Sequence, residues 1–279
     1  MNKIMKLLGI IVTYFPDIPD AKKNILQFIS DVDTLIIWEN TPIEERGKYK
    51  IQLSEYDHKI IYMGTDENMC IAYALNQAIK YGNANGFTHI LTMDQASCFK
   101  TGHFTKYKEL VCSYQNEISI FGPNPNFTEI NQKDIPIEKH YLITSGNIVA
   151  LKIFDIIGLF REDYKIDCVD YEFCFRAAKK DFHCFMIGSI LLNQEFGKLQ
   201  KTKYGFHISN YSPFRLFYIA RNNIKLYREY PDYIDFKTVL GRILNPFFRI
   251  IISEDNKLKK LTAIFKGVVN GLQENIISS

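Results

Sequence analysis

Two groups of residues in this 279-residue chain combine the types and spacing that chemistry needs: Asp94-Gln95-Ala96-Ser97, and the acidic set Asp163, Asp167, Asp170 and Glu172. The first follows an apolar run at 88–93. It is joined by three other polar segments after apolar runs: Thr13-Tyr14-Phe15-Pro16-Asp17, Glu39-Asn40-Thr41-Pro42 and Asp66-Glu67-Asn68. Ligands of open α/β sheets bind just beyond the carboxyl ends of the strands, so four polar ends on one sheet edge make a candidate site. Carboxylates and amides there suit a nucleotide's base and ribose hydroxyls, with a divalent cation over a diphosphate. Each segment taken singly also reads as an ordinary turn or helix cap.

The second group reads two ways. Asp167 and Asp170 lie three apart, within one helical turn, and Asp170 stands where a helix N-terminus stabilises an ionised carboxylate. Such a group can accept a proton from an attacking hydroxyl. The plainer reading makes Asp170 the N-cap of a helix over 170–180 and Asp167 a turn residue. The motifs of other chemistries are missing. No Gly-x-Gly-x-x-Gly follows the first apolar run and no Gly-Lys-Ser/Thr loop occurs, which counts against dinucleotide oxidoreductases and NTP hydrolases. A Gly-x-Ser-x-Gly elbow is also absent, leaving a serine hydrolase without support.

The elements that must position these residues follow from periodicity. Continuous apolar runs at 8–13, 34–38, 59–62 and 88–93 predict strands. Between them, 20–29 and 68–81 have helical spacing; Ile71, Ala74, Leu75, Ala78 and Ile79 fall at i, i+3, i+4, i+7 and i+8. Apolar strands alternating with helices indicate a parallel sheet covered on both faces. Residues 1–97 therefore read as a nucleotide-binding α/β half. Strands are expected at 118–121, 141–143 and 148–151, then helices at 170–180, 213–229, 236–252 and 258–272.

Hydrophobic residues make up 47% and charged residues 23%, which supplies a core and excludes a disordered chain. The net charge of +3 conceals a division. Residues 1–197 hold 20 Lys and Arg against 25 Asp and Glu, whereas 198–279 hold 14 against 6. Seven of these cations lie within 237–266, interleaved with Val239, Leu240, Ile243, Leu244, Phe247, Phe248, Ile250 and Ile251. That mixture suits a helix in an anionic membrane interface, and equally a homodimer face or ordinary helix packing. Nucleic-acid binding is not expected, since no domain signature accompanies the charge. The six cysteines form no Cys-x-x-Cys pair and read as buried thiols of a reducing compartment. Lys3 and Lys6 before a short apolar run lack a cleavage site, and no spanning stretch of about 18 apolar residues occurs, so a cytoplasmic location is expected, with the basic tail offering a peripheral contact at the inner membrane face.

Together, Thr13-Tyr14 with Pro16-Asp17, Glu39-Asn40, Asn68-x-x-Ile71-Ala72-x-Ala74-Leu75-Asn76 and Asp94-Gln95-x-Ser97 resemble inverting family 2 glycosyltransferases. The segments 143–147, 166–176 and Tyr218-x-x-Arg221-Asn222 are similar to the rhamnosyltransferase-like branch, and the likeness covers roughly 8–230, with Lys266-Gly267 and Gly271 adding to it. The resemblance implies an α/β GT-A fold with a mostly parallel central sheet flanked by helices. It implies a domain over 1–230, divided into a donor half, 1–97, and an acceptor half, 98–230, with a basic helical extension at 231–279. It implies transfer of a sugar, rhamnose being the favoured case, from a nucleoside diphosphate to a glycan or lipid-linked acceptor.

By the same resemblance Thr13, Tyr14 and Glu39 hold the nucleoside, and Asn68 and Gln95 belong to the donor side. Asp94 is the first acid of an Asp-x-Asp element for Mg²⁺ or Mn²⁺. Ser145, Gly146 and Asn147 line the acceptor side, and Asp170 is the general base. Three departures stand out: Ala96 replaces the second acid, Glu39 replaces the usual Asp, and Gln194 begins what is often His-x-x-Gly. The alternative expectation is a degenerate member that binds a nucleotide sugar or glycan without catalysis.

Overall fold

The structure is a computed structural model; it describes all residues except 1–4, 115–118, 127, 130–132, 195–199, 202–206, 209 and 276–279. The chain divides into two compact units, Met1–Phe160 with Ala177–Glu195, and Arg161–Arg176 with Phe196–Ser279.

The first unit carries a nine-stranded sheet. The strands β1 (Leu7–Thr13), β2 (Thr34–Glu39), β3 (Ile60–Gly64) and β4 (His89–Asp94) are mutually parallel in the order β3-β2-β1-β4. The apolar residues of β1, β2 and β4 are mostly buried because helices cover the sheet, while those of β3, at the sheet edge, are half-buried. The connections are α1 (Ile18–Ile25), the single turn α2 (Ile43–Arg46) and α3 (Cys70–Ala84). Asp17 caps α1 by accepting from Asp20 N at 3.2 Å, with Pro19 in the first turn. The register Thr13↔Glu39 and Val12↔Asp94 aligns the carboxyl ends of β1, β2 and β4, as the apolar runs predict.

Beyond β4 the sheet becomes mixed. After the short β5 (Ser97–Phe99) and α4 (His103–Ser113) come β6 (Ile120–Pro125), β7 (Pro136–Lys139), β8 (Asn147–Ala150) and α5 (Lys152–Ile157). β8 lies antiparallel between β4 and β6, while β9 (Cys184–Gln194) runs parallel to β6 and antiparallel to β5 and β7. The strand expected at 141–143 is not formed, because the chain there turns to bring Thr144 and Ser145 against the end of β4. Residue 118, the start of another expected strand, lies outside the described residues.

The second unit is helical: most of α6 (Val169–Ala178), then α7 (Pro213–Glu229), α8 (Phe236–Ser253) and α9 (Lys257–Gln273). Ser212 accepts from Arg215 N at 3.3 Å and Pro213 opens α7, so that helix starts where its cap and proline place it. α7 packs closely on α9: a Cβ at Gly267 would lie 2.3 Å from the Phe217 carbonyl oxygen. α6 begins at Val169, which puts Asp170 inside its first turn instead of at the N-cap expected from sequence.

Candidate active site

At the carboxyl end of β1, Thr13 is buried and its hydroxyl donates to the Trp38 carbonyl at 3.1 Å, tying β1 to β2. Tyr14 is half exposed, and its backbone is gripped by Gln95, whose Oε1 accepts from Tyr14 N at 2.7 Å and whose Nε2 donates to Tyr14 O at 3.1 Å. The Gln95 amide thus locks the loop after β1 to the loop after β4. Asn40 does the same between β2 and α3. Its Oδ1 accepts from Trp38 Nε1 at 3.0 Å and Met69 N at 3.3 Å, and its Nδ2 donates to Cys70 O at 3.3 Å. Asn68 Oδ1 accepts from Cys70 N at 2.8 Å at the entry to α3. Arg46 binds the carbonyls of Glu39 at 3.1 Å, Thr41 at 3.2 Å and Thr65, so one cation gathers the ends of β2 and β3. Burial raises the Glu39 carboxyl above its ordinary pKa, against the opposing pull of Arg46 and Lys50.

Asp94 sits where β4 ends. Its backbone N donates to Ser145 Oγ at 3.1 Å, and its Oδ2 accepts from Gln194 Nε2 at 3.3 Å. The neighbouring turn is stitched to β4 by Thr92 Oγ1 donating to Thr144 O at 2.5 Å and Gly146 N donating to Thr92 O at 2.7 Å. Gly146 has a φ of +86°, and a Cβ there would lie 2.5 Å from Pro123 Cγ, so only glycine fits this turn. Ser145 and Asn147 are buried, and Ser145 acts here by fixing the Asp94 backbone. Asn40, Arg46 and Gln194 were not singled out from the sequence as site residues, although Asn40 and Gln194 stand in the quoted motifs.

The acidic set belongs to the second unit. Asp163 is held by Arg161 at 2.7 Å and Lys225 at 2.5 Å, which lower its pKa to about 2 despite partial burial. Glu172 is fully buried, accepting from Arg176 Nε at 2.8 Å and the Tyr230 hydroxyl at 2.9 Å. Asp167 makes a two-point ion pair with Arg215. Asp170 Oδ1 accepts from Tyr171 N at 2.9 Å. Burial pushes the Cys168 thiol up, and the adjacent Asp167 and Asp170 charges push it the same way. Asp163, Asp167 and Glu172 are each paired with a cation, and Asp163 and Glu172 join the structural framework.

The chain matches dTDP-rhamnosyl transferase RfbF of Shigella flexneri at 24% identity, over 96% of this chain and 95% of that protein. Among solved structures it superposes on GalNAc-T7 with UDP, GalNAc and Mn²⁺ (TM-score 0.57, 10% identity, 88% of this chain and 55% of that one). It also superposes on S. aureus TarS (TM-score 0.52, 12% identity, 96% of this chain and 49% of that one). The chain is thus similar along nearly its whole length to a rhamnosyl transferase, and its fold is the GT-A fold of both solved glycosyltransferases. It spans about half the length of both solved chains, whose likeness concerns the fold. No protein-family model matches it.

For a glycosyltransferase of this fold, a divalent cation has to be tested against the residues present. Ala96 removes one carboxylate, and among the described residues no three His, Cys, Asp or Glu cluster as a ligand set. One carboxylate, Asp94, remains beside an amide whose buried Oε1 has no hydrogen-bond partner among the described residues, that of Gln194. A half-turn of that amide would bring a neutral oxygen next to the Asp94 carboxylate. Hard cations such as Mg²⁺ accept one or two carboxylates when waters and substrate phosphates complete the shell. Asp94 and Gln194 therefore fit a cation carried mainly by its ligand's phosphates.

Proposed function

We propose that this glycosyltransferase transfers a sugar, rhamnose as the favoured case, from a nucleoside diphosphate to a hydroxyl of a growing glycan or lipid-linked acceptor, with inversion. The observation that carries the reading is the match to a dTDP-rhamnosyl transferase along almost the whole of both chains. In this reading Tyr14, Glu39 and Asn68 receive the nucleoside, with Thr13, Asn40 and Arg46 fixing the strand ends that present them. Asp94 and Gln95 lie on the diphosphate side. A Mg²⁺ or Mn²⁺ ion, when bound by Asp94 and Gln194, supplies charge neutralisation for the diphosphate.

Asp170 is the proposed base. Its carboxylate takes the proton of the acceptor hydroxyl as that oxygen bonds to the anomeric carbon. The bond from that carbon to the diphosphate breaks, and the nucleoside diphosphate leaves with the electron pair. A single displacement of this kind inverts the anomeric centre. Release of dTDP from dTDP-rhamnose, measured with lipid-diphosphate-linked sugars as acceptors, tests the reading; nucleotide binding without turnover on any acceptor would overturn it. Ala96 favours one second reading, a member of the fold that binds nucleotide sugar without transfer, and turnover stimulated by Mn²⁺ excludes that reading.

The proposed function includes a surface contact. On α9, Leu258, Phe265 and Leu272 recur every seven residues and are 80%, 69% and 56% exposed, flanked by exposed Lys257, Lys259 and Lys266. Phe236, Leu240, Phe248, Ile251 and Ile252 of α8 are exposed as well. An apolar stripe bordered by lysines complements an anionic lipid surface, where a lipid-linked acceptor would reside. No helix among the described residues is long and apolar enough to cross a membrane, so the proposed contact is peripheral.

A further inference from the structure

The short segment ahead of Asp170 is backbone-strained. Lys165, Asp167 and Cys168 have φ of 55°, 62° and 62°, three non-glycine residues in the left-handed region within four positions. Such conformations persist only where the surroundings over-determine them, and they gather at functional sites. One side chain supplies most of that determination. Asn222, on α7 and wholly buried, donates from Nδ2 to the carbonyls of Tyr164 at 2.7 Å, Ile166 at 2.8 Å and Asp167 at 3.0 Å.

The orientation of the Asn222 amide is itself fixed. Arg221 Nη1 donates to Asn222 Oδ1 at 2.8 Å, so the oxygen faces the guanidinium and the nitrogen faces the three carbonyls. The same guanidinium donates to Asp163 O at 2.8 Å and to Asn270 Oδ1 at 3.1 Å, and it pairs with Glu274. The far end of the strained segment enters α6 directly, with Glu172 N donating to Cys168 O at 2.9 Å in the first turn that contains Asp170. The chain of contacts therefore runs from the end of α9 through Arg221 and Asn222 to the backbone that carries Asp170.

We propose that Asn222, oriented by Arg221, is a positioning residue that sets the aim of Asp170, an inference resting on the reading of Asp170 as the base. Asn222 touches no reacting atom. Its amide holds the three carbonyls in the one arrangement that starts α6 where Asp170 can meet an acceptor hydroxyl. Removing the amide lets the segment relax toward ordinary φ values. A misplacement of about 1 Å at a general base costs on the order of 100-fold in rate without touching the donor pocket.

The test uses the full chain, dTDP-rhamnose with a lipid-diphosphate-linked sugar acceptor, and calorimetry with dTDP. For Asn222→Ala, kcat for dTDP release should fall about 10- to 100-fold while the Kd for dTDP stays within about twofold. The acid limb of the kcat/KM profile should move as well, since the environment of the base has changed. Asn222→Ser, which keeps a small donor, should fall between wild type and alanine and decides the matter should the alanine variant fail to fold. A folded Asn222 variant with kcat within about twofold of wild type, or with dTDP affinity lost in step with kcat, would overturn the inference. Asp170→Asn runs alongside. An inactive D170N beside an active N222A sinks the positioning role alone, whereas an active D170N sinks the base assignment and this inference with it.

Discussion

Asp167 and Arg215 face each other through two hydrogen bonds of 3.2 Å, Nε to Oδ2 and Nη2 to Oδ1. Planar two-point pairing of this kind gives a carboxylate both charge compensation and a fixed direction. The pairing commits Asp167 to Arg215, three residues before the proposed base Asp170.

The two asparagine substitutions should accordingly differ. Asp170→Asn should lower kcat by about 10²- to 10⁴-fold, the range of a lost general base, with nucleotide binding retained. Asp167→Asn keeps a side chain suited to its positive φ and should cost about tenfold or less. Steady-state rates of dTDP release and dTDP calorimetry on both variants check the contrast. Equal losses would merge the two acids into one role.

Much of this arrangement is readable from sequence, and the reasons for the rest are physical. Strands β1, β2 and β4 announce themselves because strands buried on both faces are apolar throughout. The same runs end in the polar residues proposed for the donor side, so the edge of the proposed site is visible with them. Strand β9 is not visible in this way: its eleven residues are interrupted by Gly188-Ser189, and its partners β5, β6 and β7 come from distant segments. At 141–143 strand propensity gives way to tertiary hydrogen bonds, since Thr144 and Ser145 bind the end of β4. The grips of Asn40, Gln95 and Asn222 on backbone carbonyls and amides leave no period in the sequence at all. Their residue types appear in the motifs, but their partners lie up to 81 residues away.

His89 gives a pH dependence of stability. Burial lowers its pKa from 6.5 to about 4, so the native state keeps it neutral. Between those values the unfolded chain binds the proton and the native state does not, so stability rises with pH across the window and is lost as pH falls from about 6.5 toward 4. The full span is worth roughly 3 kcal/mol. Urea unfolding of wild type from pH 7.5 to 4 should show the decline, and His89→Gln should flatten it. A wild-type curve that is flat over this window would contradict the half-buried neutral imidazole.

The departure at Ala96 predicts how metal affinity responds to restoring a carboxylate. Position 96 is exposed, so an aspartate fits without repacking. Wild type should bind Mn²⁺ weakly alone and more tightly with dTDP present, since the phosphates supply the remaining ligands. Ala96→Asp should tighten binding without nucleotide by about tenfold, in keeping with the gain from one added charged ligand. Electron paramagnetic resonance of free Mn²⁺ measures this independently of turnover. Unchanged affinity in the variant would place the cation, if one binds, away from Asp94.

The stripe on α9 makes the last prediction. Leu258, Phe265 and Leu272 lie apart from the buried face of the same helix, which is formed by Lys260, Ile264, Gly267 and Gly271. Negative charge introduced on the stripe should therefore leave the packing of α9 on α7 intact. Leu258→Glu with Phe265→Glu should abolish flotation with vesicles containing phosphatidylglycerol while leaving the melting temperature within a few degrees. Wild type should float with those vesicles at low salt, less at high salt, and little with pure phosphatidylcholine, because each lysine near an anionic surface adds about 1 kcal/mol that salt screens. Light scattering after size exclusion supplies the competing outcome: a wild-type dimer that the double variant turns into a monomer, with no flotation in either, would make the stripe a contact between two copies of the chain.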